Sequence, residues 1–157
     1  MAIARQVVPG KRLLVIGGGW IGLEVAATAR AKQVDVMLLE AGSRLCARSL
    51  PPRFSELLLE KHQQEGVEVR LSTTVSSITA GRQRTLAVQL PGGAQEFDAV
   101  VVGIGLLLDT GLAETCGLEV RDGIVVDQAG RTSDPDIYAV GDVANQPSTW
   151  AGGRLRL

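Results

Sequence analysis

Aromatic side chains make up only 3 % of this 157-residue chain, and its 16 basic residues are offset by 17 acidic ones. Single-stranded nucleic acid is gripped by aromatic platforms set in a basic groove. Duplexes and anionic membrane surfaces are drawn by an excess of positive charge. A chain poor in aromatics with a formal charge of −1 has neither feature, so no nucleic acid and no membrane is expected as a partner. Histidine is nearly absent too. His62 stands alone, and the two cysteines, Cys46 and Cys116, form no Cys-x-x-Cys pair. A four-ligand zinc site cannot be built from that set, and no metal is expected. Both thiols are expected as small buried apolar residues, a sparing use of cysteine that suits a reducing compartment. Long apolar runs are missing as well. The longest, Ala99 to Leu108, has ten residues, against about 20 for a membrane-spanning helix. The first dozen residues lack the basic-then-apolar order of a signal peptide. The expectation is a soluble, cytoplasmic protein of one domain's size.

Glycine, by contrast, is abundant at 19 residues, which suits tight turns and close backbone approaches. The glycines punctuate a clear order of elements. After the turn Val8-Pro9-Gly10-Lys11, the run Arg12 to Ile16 is continuously apolar from Leu13 on, as in a strand buried on both faces of a parallel sheet. Trp20 to Gln33 places Ile21, Val25, Ala26 and Ala29 on one helical face, and Val34 to Glu40 reads as a second buried strand. Strand, helix and strand within about 30 residues make a βαβ unit. Pro51 and Pro52 head a second helix that Gly66 stops. On it His62 is expected as a partly exposed surface residue. Val67 to Leu71 reads as a third strand. Val75–Ile78, Thr85–Leu90 and Gln95–Phe97, parted by Gly81 and by Pro91-Gly92-Gly93, read as a short antiparallel meander. Asp98 to Gly103 reads as another buried strand, Val120 to Val126 as a hairpin turning at Asp122-Gly123, and Asp136 to Asp142 as a final apolar strand. Asn145 to Leu157 shows no usable period.

Gly17-Gly18-Gly19-Trp20-Ile21-Gly22 matches G-x-G-x-x-G. The match alone is weak. Here it follows Ile16 at the end of a buried strand, opens a helix, and is followed about 20 residues on by Glu40 at the end of the next strand, which is the context the fingerprint requires. Gly17 permits the tight turn, Gly19 lets a pyrophosphate approach the backbone, and Gly22 lets helix and strand pack. The helix N-terminus supplies free N–H groups to the phosphates. The plain alternative is a glycine-rich turn that binds nothing. Glu40 is placed to accept hydrogen bonds from a ribose 2′-OH and to repel a 2′-phosphate, which favours NAD over NADP. Arg44 and Arg48 lie just beyond and are long enough to reach a phosphate, or else belong to a solvated loop. Glu24, early in the helix, reads by itself as a carboxylate favourable near a helix N-terminus.

The stretch Gly17 to Ala27 resembles the second dinucleotide motif of the FAD-dependent ferredoxin, rubredoxin and putidaredoxin reductases of the pyridine nucleotide-disulfide oxidoreductase superfamily. Three further segments agree in order and spacing. These are Leu50-Pro51-Pro52, Val101-Val102-Gly103-Ile104-Gly105 ahead of Leu112 to Glu114, and Thr132 to Ala144. The likeness runs from about Pro9 to Leu157. It implies an α/β fold: a Rossmann-like parallel sheet flanked by helices, with a small three-stranded meander and a C-terminal piece of a flavin-binding domain. Residues 10–122 would form the NAD-binding domain, and 123–157 a segment returning to a flavin domain that is otherwise missing.

The resemblance also implies site residues. Ile16 to Gly22, Glu40 and Arg44 would line the NAD site, and Glu24 would help position the nicotinamide. Gly103, Ile104 and Gly105 would edge the nucleotide cleft, and Gly141 with Asp142 would reach the ribityl chain of FAD. The implied chemistry takes electrons from NADH through FAD to a ferredoxin or rubredoxin. No residue of the chain need act as a nucleophile or general acid, and the isolated chain would be catalytically incomplete. Leu106-Leu107-Leu108-Asp109 departs from the Arg-Pro-Asn-like stretch usual in such reductases. Two alternatives stand beside this reading. One is an NAD-binding module without turnover that pairs through the apolar segment Ile137 to Val140. The other is the same domain of an NADH oxidase, nitrite reductase or coenzyme A disulfide reductase.

Overall fold

The computed structural model describes residues 7–149 and 151–156, so Met1 to Gln6, Trp150 and Leu157 lie outside the account. The chain clusters into two compact units that divide between Ile104 and Gly105.

The first unit is built on four parallel strands in the order β3-β2-β1-β7. β1 is Arg12–Ile16, β2 Asp35–Leu39, β3 Glu68–Arg70 and β7 Ala99–Val102. Helix α1, Trp20–Ala31, joins β1 to β2, and α2, Pro52–Gln64, joins β2 to β3. Between β3 and β7 the chain makes an antiparallel meander of β4, Ser77–Ala80, β5, Leu86–Leu90, and β6, Gly93–Phe97. The expected parallel sheet and meander are both present, within a residue or two of their expected ends.

The period-two geometry of a strand explains why the central runs are apolar throughout. Leu13 and Val15 of β1, with Val36 and Leu38 of β2, point to one face and pack against Leu23, Ala26 and Ala29 of α1. Leu14 of β1, with Met37 and Leu39 of β2, points to the other face, against Val88, Leu90 and Phe97 of the meander. Both faces are therefore covered, and burying each such side chain contributes about 1.5–3 kcal/mol. The alanines of α1 let its axis lie close to the sheet. β7 differs from the expected buried strand: it is only half-buried and Val102 is 56 % exposed, because β7 is an edge with one paired neighbour. His62 ties the two helices together, its Nδ1 lying 2.8 Å from the Leu58 carbonyl and its Nε2 3.3 Å from that of Leu23.

Four sequence expectations fail in the second unit. Asp136 to Asp142 is not a strand. Only Tyr138 makes an isolated bridge, to Arg131, and Gly141–Val143 forms a 3-10 turn. The segment has no continuous neighbour to pair with: Ile137, Tyr138 and Val140 lie exposed, Val140 at 78 %, and only Ala139 among its apolar residues is buried. The Asp122-Gly123 turn closes a single antiparallel bridge, Val120 to Ile124, and β8, Ile124–Val125, pairs instead in parallel with β9, Ala144–Ser148. The tail is structured: β9 pairs antiparallel with β10, Gly153–Arg156. The stretch Leu112 to Glu114 lies in a short helix α3, Gly111–Thr115, and Cys116 at its C-terminal cap is exposed rather than buried.

Asp98 locks the start of β7 to the start of β1. Its carboxylate accepts the Arg12 backbone N–H at 2.8 Å and the Lys11 ammonium at 2.7 Å. These two donors, the backbone N–H first, hold the Asp98 carboxyl below the ordinary carboxylate range. Because the folded value is the lower one, the stabilisation is present above about pH 4 and is lost as pH falls through the depressed value. Replacing Asp98 by Ala is expected to cost about 1–3 kcal/mol at neutral pH. Thermal melts of parent and D98A should converge on acidification, and a gap that persisted undiminished at acid pH would contradict the ion lock.

Candidate functional site

The turn between β1 and α1 carries the expected site residues Ile16 to Gly22. Gly17 has φ of +111° and is buried, and a Cβ placed on it would collide with the Gly103 carbonyl oxygen. A Cβ on Gly22 would collide with the Gly17 carbonyl oxygen and press on Val15 at 3.4 Å. Both positions are thus closed to side chains by the protein's own backbone. Gly19 is different. Its φ of −81° is open to any residue, and a Cβ added there meets nothing within 4 Å. No contact among the described residues demands glycine at this position.

Gly19 is also the N-cap of α1, with no side-chain cap and no acidic residue in the first turn. The Leu23 N–H is the first to be satisfied inside the helix, donating to the Gly19 carbonyl at 3.0 Å. The preceding N–H groups are free of intrahelical partners, and the positive end of the helix dipole lies there.

Glu40, at the C-terminal end of β2, is half-buried beside the turn. One carboxylate oxygen accepts the Gly18 N–H and the other the Gly42 N–H, each at 2.6 Å. Each oxygen keeps a further lone pair. The Cys46 N–H donates to the Gly18 carbonyl at 2.9 Å, and the Trp20 indole N–H donates to Ser49 Oγ at 3.0 Å. The loop from Gly42 to Leu50 is thereby fastened to the phosphate-type turn at several points.

Arg44 does not extend toward the turn. Its guanidinium donates to the carbonyls of Leu50, at 2.5 Å, and Ala47, at 2.8 Å, and to Ser55 Oγ at 3.1 Å. Arg48 is exposed. Cys46 is buried, and burial together with the nearby Glu40 charge pushes its thiol pKa up, which keeps the sulfur protonated and unreactive. Glu24 lies on the exposed side of α1, one turn beyond Trp20, and Ile21 is 69 % exposed beside it.

Gly103 sits where β7 ends, its N–H donating to the Ile16 carbonyl at 2.7 Å, and Ile104 follows it with 70 % exposure. Gly105, Gly141 and Asp142 belong to the second unit. Gly141 has φ of +75° with open space around it, and Asp142 is exposed on the 3-10 turn. The departing segment also lies in this unit, with Leu107 99 % exposed. Among the described residues no group of three or more His, Cys, Asp or Glu could hold a metal ion, and no helix is long and apolar enough to cross a membrane.

The fastening of the loop is what sequence reasoning missed. It runs through backbone carbonyls and amides, which every sequence supplies, so only the serines at 49 and 55 could have hinted at it.

Comparison with known proteins places this geometry in a family. The model of the family described as pyridine nucleotide-disulphide oxidoreductase matches residues 1–154. Rhodocoxin reductase of Rhodococcus erythropolis is 46 % identical over 92 % of the chain, and putidaredoxin reductase of Pseudomonas putida 41 % identical over 90 %. In each case the chain spans 34 % of the relative, about a third of its length. Among solved structures, the covalent putidaredoxin reductase–putidaredoxin complex superposes with a TM-score of 0.90 at 39 % identity, covering 99 % of this chain and 38 % of that one. A water-forming NADH oxidase from Lactobacillus brevis bound to NADH gives 0.87 at 26 % identity, covering 99 % and 35 %.

The two blocked glycines and the open one predict opposite outcomes on substitution. Gly22→Ala should lower the melting midpoint sharply or prevent folding, because its methyl group meets backbone that cannot give way. Gly19→Val should melt within a few degrees of the parent. Equal losses in the two variants would show that position 19 also serves packing.

Proposed function

The chain belongs to the pyridine nucleotide-disulphide oxidoreductase family, and on that footing we propose that it is the NAD(H)-binding portion of a flavoprotein oxidoreductase. The reaction it serves passes electrons from NADH through FAD to a ferredoxin or rubredoxin. One observation carries the nucleotide assignment: Gly19 is a glycine that nothing in the protein requires, at an uncapped helix N-terminus, with open space where its Cβ would be. A pyrophosphate drawn to free N–H groups accounts for the choice of glycine there, since any side chain would occupy the anion's place.

The remaining residues take roles that follow from their positions. Gly17 and Gly22 set the turn, with Ile16, Gly18, Trp20 and Ile21 shaping its two sides. The free lone pairs of Glu40 accept from the adenosine ribose, and its charge disfavours a 2′-phosphate. Glu24, exposed one turn along α1, is the carboxylate available to orient the nicotinamide. Gly103, Ile104 and Gly105 edge the cleft where β7 ends. Gly141 and Asp142, on their exposed turn, address the ribityl hydroxyls of FAD. The flavin, when bound, supplies the step between hydride and single-electron transfer. This chain's residues bind and orient the dinucleotide and carry no proton.

The choice of acceptor rests on the higher identity to the rhodocoxin and putidaredoxin reductases, 46 % and 41 %, than to the NADH oxidase, 26 %. The protonated, buried Cys46 supports a reaction without a thiol relay in this segment.

A fluorescence titration tests the reading. NADH should bind saturably and more tightly than NADPH. Gly19→Val should abolish NADH binding while the fold persists, and Glu40→Ala should weaken NADH while narrowing its advantage over NADPH. Unchanged NADH affinity in G19V would remove the phosphate cradle from the account.

A further inference from the structure

The geometry points to Arg44 as a positioning residue for the nucleotide site, acting through the β2–α2 loop and not as a ligand of a phosphate. This inference rests on the nucleotide reading above and deepens it.

Arg44 stands four residues beyond Glu40, where an arginine is a natural candidate to hold the 2′-phosphate of NADP. Its guanidinium is already engaged. It spans the carbonyls of Ala47 and Leu50 and the hydroxyl of Ser55, pinning the last residues of the loop to the first turns of α2. Ser55 is only 2 % exposed, and its hydroxyl donates in turn to the Leu45 carbonyl at 2.6 Å. Leu45 is fully buried with its side chain under the phosphate-type turn, where a Cβ on Gly18 would meet Leu45 Cδ2 at 2.6 Å. Cys46 follows, its N–H held by the Gly18 carbonyl at 2.9 Å.

Cys46 has φ of +48°, a left-handed conformation unfavourable for a side chain with a Cβ. Such a conformation persists only where its surroundings over-determine it. The Gly18 carbonyl holds the Cys46 N–H, the N–H groups of Ser49 and Leu50 hold its carbonyl at 3.0 Å, and the fork of Arg44 fixes the Ala47 and Leu50 peptides beside it. The route from Arg44 to the phosphate turn is thus continuous: guanidinium to Leu50, Ala47 and Ser55, Ser55 to Leu45, Cys46 to Gly18, and Gly18 to Glu40. The arginine sets where the Gly18 peptide and the Glu40 carboxylate stand, and touches neither.

A planar fork spanning separated acceptors is something lysine cannot imitate, though lysine keeps the charge. Arg44→Lys therefore separates the roles. As a loop brace, Arg44 is needed by both nucleotides alike. In R44K, measured well below the variant's own melting midpoint, the dissociation constants for NADH and NADPH should both rise between about tenfold and a hundredfold, with their ratio unchanged. Arg44→Met should do the same or more. Backbone hydrogen exchange, followed by NMR without nucleotide, should quicken at Cys46 and Gly18 by tenfold or more while Leu14 in the central strand is unaffected. Loss confined to NADPH in R44M, with R44K near normal, would make Arg44 a phosphate ligand and overturn the inference. A lower melting midpoint with unchanged dissociation constants would overturn it too, as would unchanged exchange at Cys46. A parent protein that binds neither nucleotide would defeat the function proposed above and the nucleotide half of this inference together. Unchanged exchange in R44K defeats the inference alone.

Discussion

The site depends on how closely three pieces of backbone come together at the end of β1. Gly17 lies against Gly103, and Gly22 against Gly17, at separations that leave no room for a Cβ. That contact fixes the distance of α1 from the sheet and the direction of its first turn, and so decides where the free N–H groups point. Leu23, Ala26 and Ala29 then pack the rest of the helix on Leu13 and Val15. A larger residue at 17 or 22 would act on the site by lifting the helix, not by touching a ligand.

Glu40 joins this constraint to chemistry. Its carboxylate is held and oriented by the N–H groups of Gly18 and Gly42. A carboxylate held by backbone donors keeps its outward lone pairs, the acceptors that the proposed ribose contact needs. The same two bonds couple the turn to the loop that follows. The β1–α1 turn and the β2–α2 loop are therefore one hydrogen-bonded piece, with Trp20 and Ser49 adding a tether at its rim.

The sequence made the first unit legible for a physical reason. β1 and β2 bury both faces, so every residue after their charged first positions is apolar, and the meander is punctuated by glycines with positive φ at 92 and 93. The glycine spacing gave the turn, and Glu40 at the end of β2 gave its acidic partner. Arg44 was legible as a cation near the site but not in its direction, because its three acceptors are two carbonyls and a serine. His62 is partly exposed as expected, but its contact with the Leu23 carbonyl was hidden for the same reason.

The second unit shows what defeats such a reading. Its buried apolar cluster is small, with Val126, Ala139 and Ala144 at its centre and Ile124 beside them. Much of its order comes from polar groups. Asn145, 8 % exposed, donates to the Arg121 carbonyl, and Arg154 reaches the carbonyls of Val126 and Asn145 and the Asn145 side chain. An asparagine and an arginine that hold strands together through carbonyls leave no hydrophobic period, so β9 and β10 were invisible. The apolar run Ile137 to Val140 misled in the opposite sense, since hydrophobicity suggested a strand where the pairing stops at a single bridge, Tyr138 to Arg131. Apolar periodicity reports which residues a fold buries. Where order rests on bonds to the main chain, in the loop held by Arg44 as in the strands held by Arg154, the structure is needed to see it.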